Sequence, residues 1–231
     1  MLISEIFYSI QGEGELTGVP SVFVRTSGCN LRCTWCDTKY ASWNPTGTKM
    51  SVEDIAARVM EFGARHVVVT GGEPMVAKEL PQLLSLLKAD GQHITIETAG
   101  TVAPEGIPCD LASLSPKLSN STPDPEELSD SWSRRHDETR LNFDALNAWI
   151  ADYPFQFKFV VATSRDVDEL TELTSKLDIP IPPAKILLMP EGIEASVIRG
   201  RDDTLIDLCK KHGYRYCNRL HIELFGNTAG T

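Results

Sequence analysis

Gly28-Cys-Asn-Leu-Arg-Cys-Thr-Trp-Cys-Asp-Thr38 sets three thiols, Cys29, Cys33 and Cys36, within eight residues. Thiols this close can converge on one soft metal centre, because thiolates favour zinc, copper(I) or iron-sulfur clusters over hard ions. The count is three. A structural zinc site is normally closed by four protein ligands, whereas a catalytic metal keeps a position open for water or substrate. A four-iron cluster held by three cysteines would likewise leave one iron free for a small molecule. A zinc knuckle completed by a distant Cys or His has the same spacing, so the spacing alone leaves both readings open.

Upstream of the cysteines, Ser21 to Thr26 reads as a strand that delivers this loop at its carboxyl end, with Arg25 just before the end. An arginine there can fork a carboxylate or sit in an ion pair. Before it, Ile3 to Ile10 is β-prone and runs into Gln11-Gly-Glu-Gly-Glu15, a turn whose glycines permit close backbone approach to a ligand or simply connect a hairpin.

Downstream, Ser51 caps a helix carrying Val52, Ile55, Ala56, Val59 and Met60, which Gly63 stops. His66 to Val69 is too short and too β-branched for a helix, and reads as a buried parallel strand entering Thr70-Gly-Gly-Glu-Pro74. There the two glycines could bare main-chain groups to a ligand, and Glu73 could accept from an ammonium. A helix over 81–88, a strand from Ile94 to Thr98 and another from Cys109 to Leu114 follow, the last ending at Ser115-Pro-Lys117. The Ser-, Pro- and charge-rich 119–140 reads as a surface excursion anchored by Trp132, with no structure assigned. Beyond it, Asn142 caps a helix, Gln156 to Val161 is a strand, Asp166 opens a helix reaching Leu177, and Lys185 to Leu188 is a strand ending at Met189 to Gly192. A helix over 204–211 and a last strand from Leu220 to Phe225 complete the pattern.

Alternating strands and helices indicate βα units around a mainly parallel sheet, whose ligands gather at the strands' carboxyl ends. The distinctive polar segments all fall there. Six or so units are too few for a closed eight-stranded barrel, so the expected α/β fold is an incomplete barrel within one domain, 1–231. Its 42% hydrophobic residues suffice for a sizeable core. The formal charge of −10 argues against gripping nucleic acid or an anionic membrane, both of which reward clustered Lys and Arg. With no long apolar run or basic leader, the expected location is the cytoplasm. Bunched cysteines do not suit a secreted disulfide framework, and Cys109, Cys209 and Cys217 read as small buried hydrophobes.

Cys29-x3-Cys33-x2-Cys36, with Trp35 before the third cysteine and Gly71-Gly-Glu-Pro74 downstream, resembles the radical S-adenosylmethionine superfamily. More narrowly, Ser9-Ile-Gln-Gly-Glu-Gly14, Arg25, Cys36-Asp-Thr38, Thr70-Gly-Gly-Glu-Pro74, Glu97-Thr98 and Ser115-Pro-Lys117 resemble the 7-carboxy-7-deazaguanine synthase family across almost the whole chain. The resemblance implies a partial barrel, a 4Fe-4S cluster on Cys29, Cys33 and Cys36, and S-adenosylmethionine bound at the fourth iron. It also implies a carbon-nitrogen lyase of queuosine and 7-deazapurine biosynthesis that contracts 6-carboxy-5,6,7,8-tetrahydropterin to 7-carboxy-7-deazaguanine with loss of ammonia.

By the same resemblance, Thr38 would ligate Mg2+, with the remaining oxygens from water and substrate. Ile10, Gln11, Gly12, Arg25 and Thr70 match pterin-binding positions. Trp35, Cys36, Asp37, Gly72, Ser115, Pro116 and Lys117 match positions near S-adenosylmethionine, with Glu73 and Glu97 added. The family implies a donor such as flavodoxin and a homodimer. Ala99 stands where relatives often carry Asn, and Thr231 belongs to a tail that approaches substrate in some relatives. A glycyl-radical activating enzyme would share the cysteines and the Gly-Gly-Glu-Pro loop but act on protein, and a zinc-binding interaction module would hold the metal closed.

Overall fold

The computed structural model describes residues 1–231. In chain order the elements are β1 (Leu2–Ile10), β2 (Pro20–Thr26), α1 (Lys39–Ser42), β3 (Thr48–Lys49), α2 (Val52–Glu61), β4 (His66–Gly71), α3 (Leu80–Ala89), β5 (His93–Thr98) and β6 (Leu111–Leu114). There follow α4 (Asp130–Thr139), α5 (Phe143–Asp152), β7 (Phe155–Val161), α6 (Ser164–Ser175), β8 (Ile186–Pro190), α7 (Ala195–Arg199), α8 (Asp202–His212), β9 (Arg215–Tyr216) and α9 (Leu220–Phe225). One sheet holds all nine strands in the order β3-β1-β2-β4-β5-β6-β7-β8-β9. From β2 to β9 every neighbour is parallel, while β1 runs antiparallel to β2 and β3 to β1. The edges, β3 and β9, are two residues long and do not meet, so the barrel stays open as expected.

The period-2 alternation of the strands separates two faces. Val22, Val24, Val67, Val69, Ile94, Ile96, Phe157 and Phe159 join the main apolar cluster, together with Ile55 and Val59 of α2, Leu83, Leu84 and Leu87 of α3, and Trp149 of α5. The opposite face, inside the curve, carries Arg25, Thr70, Glu97, Ser113, Lys158 and Val160. Helix starts follow the sequence. Ser51 Oγ accepts from Asp54 N–H at 3.1 Å, Asn142 Oδ1 accepts from Ala145 N–H at 3.1 Å, and Thr163 and Asp166 form a capping box.

Two expectations change. Leu220 to Phe225, expected as a strand, is the helix α9. The apolar-polar alternation of Leu220-His-Ile-Glu-Leu224 suggested the strand, but β9 already forms the edge and only Ile222 of this segment is buried. Within 119–140, the unassigned excursion, Asp130–Thr139 forms α4. Its buried residues are Ser133 and His136, so no apolar periodicity announced it. Trp132 is the expected local anchor, with Arg32 at 4.3 Å and Arg135 at 5.1 Å from its ring centroid. No helix is long and apolar enough to cross a membrane.

Candidate active site

A cavity of about 480 Å³ opens where the strands' carboxyl ends converge. The loop after β2 brings Cys29, Cys33, Trp35, Cys36, Asp37 and Thr38 to one wall, and β4 adds Thr70, Gly71 and Gly72. The β1–β2 connection supplies Ile10, Gln11, Gly12 and Glu13, so the glycine-rich turn is both a hairpin link and a wall. Glu97, Ser115 and Lys117 complete the set of expected residues on this cavity.

Two expected residues do not line it. Glu73 is 1% exposed, and its carboxylate accepts from Thr98 Oγ1 at 2.8 Å, Ala99 N–H at 2.8 Å and Met75 N–H at 3.1 Å. Burial pushes its carboxyl above the usual range despite these donors. It therefore ties the loops after β4 and β5 together. Pro116 is buried, between the partly exposed Ser115 and Lys117 in sequence. Gly72 likewise has a reason beyond ligand access. A Cβ there would lie 2.3 Å from Gly28 O and 2.8 Å from Cys29 Cβ, so the glycine lets the loop after β4 press against the cysteine loop.

The three cysteines are free thiols. Burial pushes Cys29 and Cys33 up to about 12, with Glu73 adding to the shift at Cys29, so without metal both are protonated. Metal ligation would displace those protons. The thiols share one cavity wall but belong to no group of three side chains converging on a single ion. Three thiols are one donor short of the four that close a structural zinc site. Thr38 Oγ1 makes no capping bond for α1 and lies 3.7 Å from Cys36 Sγ, leaving an oxygen donor beside the thiols.

Arg25 donates Nε–H to Glu5 Oε1 at 2.6 Å, while its Nη groups have no hydrogen-bond partner in the protein. The ion-pair reading of this arginine is seen directly, and the residue also lines the cavity. Glu97 accepts from Gln11 Nε2 at 3.2 Å, Thr70 Oγ1 at 3.1 Å and Lys158 Nζ at 3.2 Å.

Lys158, Arg219 and His221 were not anticipated, and Glu13 was not singled out. Lys158 Nζ reaches Glu13 Oε2 at 2.8 Å. Arg219 Nε–H donates to Glu13 Oε1 at 3.1 Å, and its Nη groups donate to Asp37 and to Gly192 O. Burial alone would neutralise these groups, but their partners prevail, with Glu13 and Asp37 held low and Lys158 and Arg219 held high. A line of salt bridges thus runs from Glu97 through Lys158, Glu13 and Arg219 to Asp37 in the cysteine loop. A signal for Lys158 was present in Phe155-Gln-Phe-Lys-Phe159, where the aromatic residues alternate with polar ones that must face away from the core. Nothing local marked Arg219 or His221.

Comparison with known proteins agrees with this geometry. The Radical SAM superfamily profile matches residues 23–117. The chain is 47% identical to the 7-carboxy-7-deazaguanine synthase of Rhodopirellula baltica, over 100% of this chain and 89% of the relative. The chain belongs to the 7-carboxy-7-deazaguanine synthase family. Its likeness to the Halobacterium salinarum synthase is 46% over 99% of this chain and 92% of that one. The crystal structure of QueE from Escherichia coli superposes with a TM-score of 0.69 at 30% identity, covering 95% of this chain and 94% of that chain. As a member of this family the protein is a radical S-adenosylmethionine enzyme, and membership implies a 4Fe-4S cluster and S-adenosylmethionine.

Proposed function

We propose that this chain converts 6-carboxy-5,6,7,8-tetrahydropterin to 7-carboxy-7-deazaguanine, with Mg2+ as a further cofactor. The observation that carries the reading is a single cavity lined both by Cys29, Cys33 and Cys36 and by Gln11, Arg25, Thr70 and Glu97. When bound, the cluster with S-adenosylmethionine supplies the radical that removes hydrogen from C6 of the pterin.

The chain's own residues hold and orient the reactants. The Nη edge of Arg25 is suited to the substrate carboxylate, since a guanidinium fork pairs with two oxygens. Glu97, kept in place by Gln11, Thr70 and Lys158, offers acceptor oxygens to the N–H-rich edge of a pterin. Thr38 offers Mg2+ one hydroxyl, and substrate and water would provide the rest. Trp35, Asp37, Gly72, Ser115 and Lys117 line the same cavity as the thiols and are assigned to S-adenosylmethionine. Glu13 and Arg219 fix Asp37 and the cavity floor in their ionised, hydrogen-bonded positions. A low-potential donor such as flavodoxin, a homodimeric state and a cytoplasmic location belong to the same reading.

Anaerobic incubation of the reconstituted protein with the carboxytetrahydropterin, a reductant, S-adenosylmethionine and Mg2+ is expected to yield 7-carboxy-7-deazaguanine, detected by its mass. Absence of that product from cluster-loaded protein would reject the assignment. Thr38→Ala should weaken the stimulation by Mg2+ while sparing the cluster, and an unchanged metal dependence would remove Thr38 from the metal site.

A further inference from the structure

The segment 118–136 meets the cysteine loop at Arg32, Thr34 and Trp35, three of the five residues that separate its thiols. His136 is fully buried, and its Nδ1 accepts the Arg32 backbone N–H at 3.1 Å. Ser121 Oγ donates to Leu118 O at 2.6 Å, so at 2.9 Å it accepts from His136 Nε2–H, which fixes the tautomer. Both ring nitrogens are thereby committed. The Ser121 carbonyl accepts Thr34 N–H at 2.9 Å, and Asn120 Oδ1 accepts Trp35 Nε1–H at 3.2 Å while its Nδ2 donates to Val160 O at 3.0 Å. The Arg32 guanidinium lies over Trp132 and donates to Cys29 O at 2.8 Å. Within the loop, Leu31 N–H donates to Cys29 Sγ at 3.3 Å.

We infer that this segment is a brace for the cluster loop, and that His136 is a positioning residue that sets the environment of the cluster without touching it. The inference rests on the reading of Cys29, Cys33 and Cys36 as cluster ligands. Hydrogen bonds to ligand sulfur and the hydrophobic surround tune an iron-sulfur centre. A loop freed at Arg32 would shift the Leu31 N–H donor and the packing of Leu31 against Cys33. Asparagine can place its side-chain oxygen where Nδ1 lies, so His136→Asn retains the acceptor that His136→Ala removes.

The test compares full-length wild type, His136→Ala and His136→Asn after anaerobic reconstitution. Folding is checked by circular dichroism, and the readouts are the paramagnetic resonance spectrum of the reduced cluster with and without S-adenosylmethionine and the rate of bleaching in air. His136→Ala is expected to fold, to show an altered spectrum with a weakened response to S-adenosylmethionine, and to bleach faster, while His136→Asn returns both towards wild type. A folded His136→Ala with wild-type spectrum and bleaching, or a His136→Asn as defective as the alanine variant, would overturn the inference. Should His136→Ala fail to fold, Ser121→Ala, which frees the ring but keeps the Thr34 tether, is expected to shift the spectrum in the same direction, and an unchanged spectrum would overturn the inference. Amide exchange on the metal-free chain separates this inference from the cluster reading. If wild type takes up no cluster the cluster reading fails, yet Arg32 N–H exchange in His136→Ala still decides the brace. Its expected rise is about fivefold, the equilibrium factor of one ordinary hydrogen bond, and no rise would overturn it.

Discussion

Lys158 lies at the middle of β7 with its aromatic neighbours turned into the helix-covered core and its ammonium in the cavity between Glu13 and Glu97. Removing one partner from such a group leaves the others uncompensated. Lys158→Met should cost about 3 kcal/mol in urea unfolding of the metal-free protein. Adding Glu13→Gln should recover part of that loss, and a single variant as stable as wild type would show that the pairs do not offset their desolvation. His136 carries a pH prediction. A histidine in an unfolded chain titrates near 6.5, whereas burial pushes His136 down to about 4. Protonation therefore favours the unfolded chain, and stability falls as pH drops from about 6.5 towards about 4. Between pH 7 and pH 5 this one group should account for about 2 kcal/mol of the decline. His136→Asn should flatten that part of the profile, as read from denaturant midpoints at the two pH values. The thiols, Arg25, Glu97 and Lys117 were legible because each sits at the end of a recognisable strand. Glu73 was legible as a polar group at a strand's end, while only the fold turns its carboxylate onto Ala99 and Thr98.

The elements that sequence reading recovered are those with an apolar stripe, such as α2 and α3, or a short β-branched run, such as β4. The element it reversed, α9, has six residues, of which Leu224 and Phe225 remain exposed. A helix this short does not hold itself in water. What secures it is Arg219, 5% exposed, with its links to Glu13, Asp37 and Gly192 O, together with the Leu220 N–H bond to Gly12 O at 2.9 Å. Arg219→Gln should therefore release the C-terminal segment from residue 220 onward. Hydrogen exchange should report lost protection at Ile222 to Gly226 with Val67 to Val69 of β4 unaffected, since segments open locally when their few anchors go. Equal loss at both would mean that Arg219 supports the whole fold.

At the scale of the molecule, the open barrel has two unlike faces. Its outer face carries the apolar cluster that makes it stable, and its inner face carries charges that an apolar core would not tolerate unpaired. A ligand that completes the inner face binds only the native state, so it should raise the melting temperature. At about 100 times its Kd, S-adenosylmethionine should add about 2.7 kcal/mol to the cluster-loaded protein. A melting shift of several degrees is expected for the loaded protein and little or none for the metal-free chain. Equal shifts in both would place the binding energy away from the cluster. Periodicity, caps and motif spacing are relations among neighbouring residues, and so the sequence by itself determined the βα order, the parallel sheet, the open barrel and the loops that carry chemistry. Tertiary structure alone decided the pairings across the cavity: Lys158 with Glu13, 145 positions apart, Arg219 with Asp37, 182 apart, and His136 with Arg32, 104 apart. None of these pairs shares a helix face or a strand, and each exists because the tertiary fold brings distant segments together, where a buried charge or ring nitrogen must find whatever partner the fold provides.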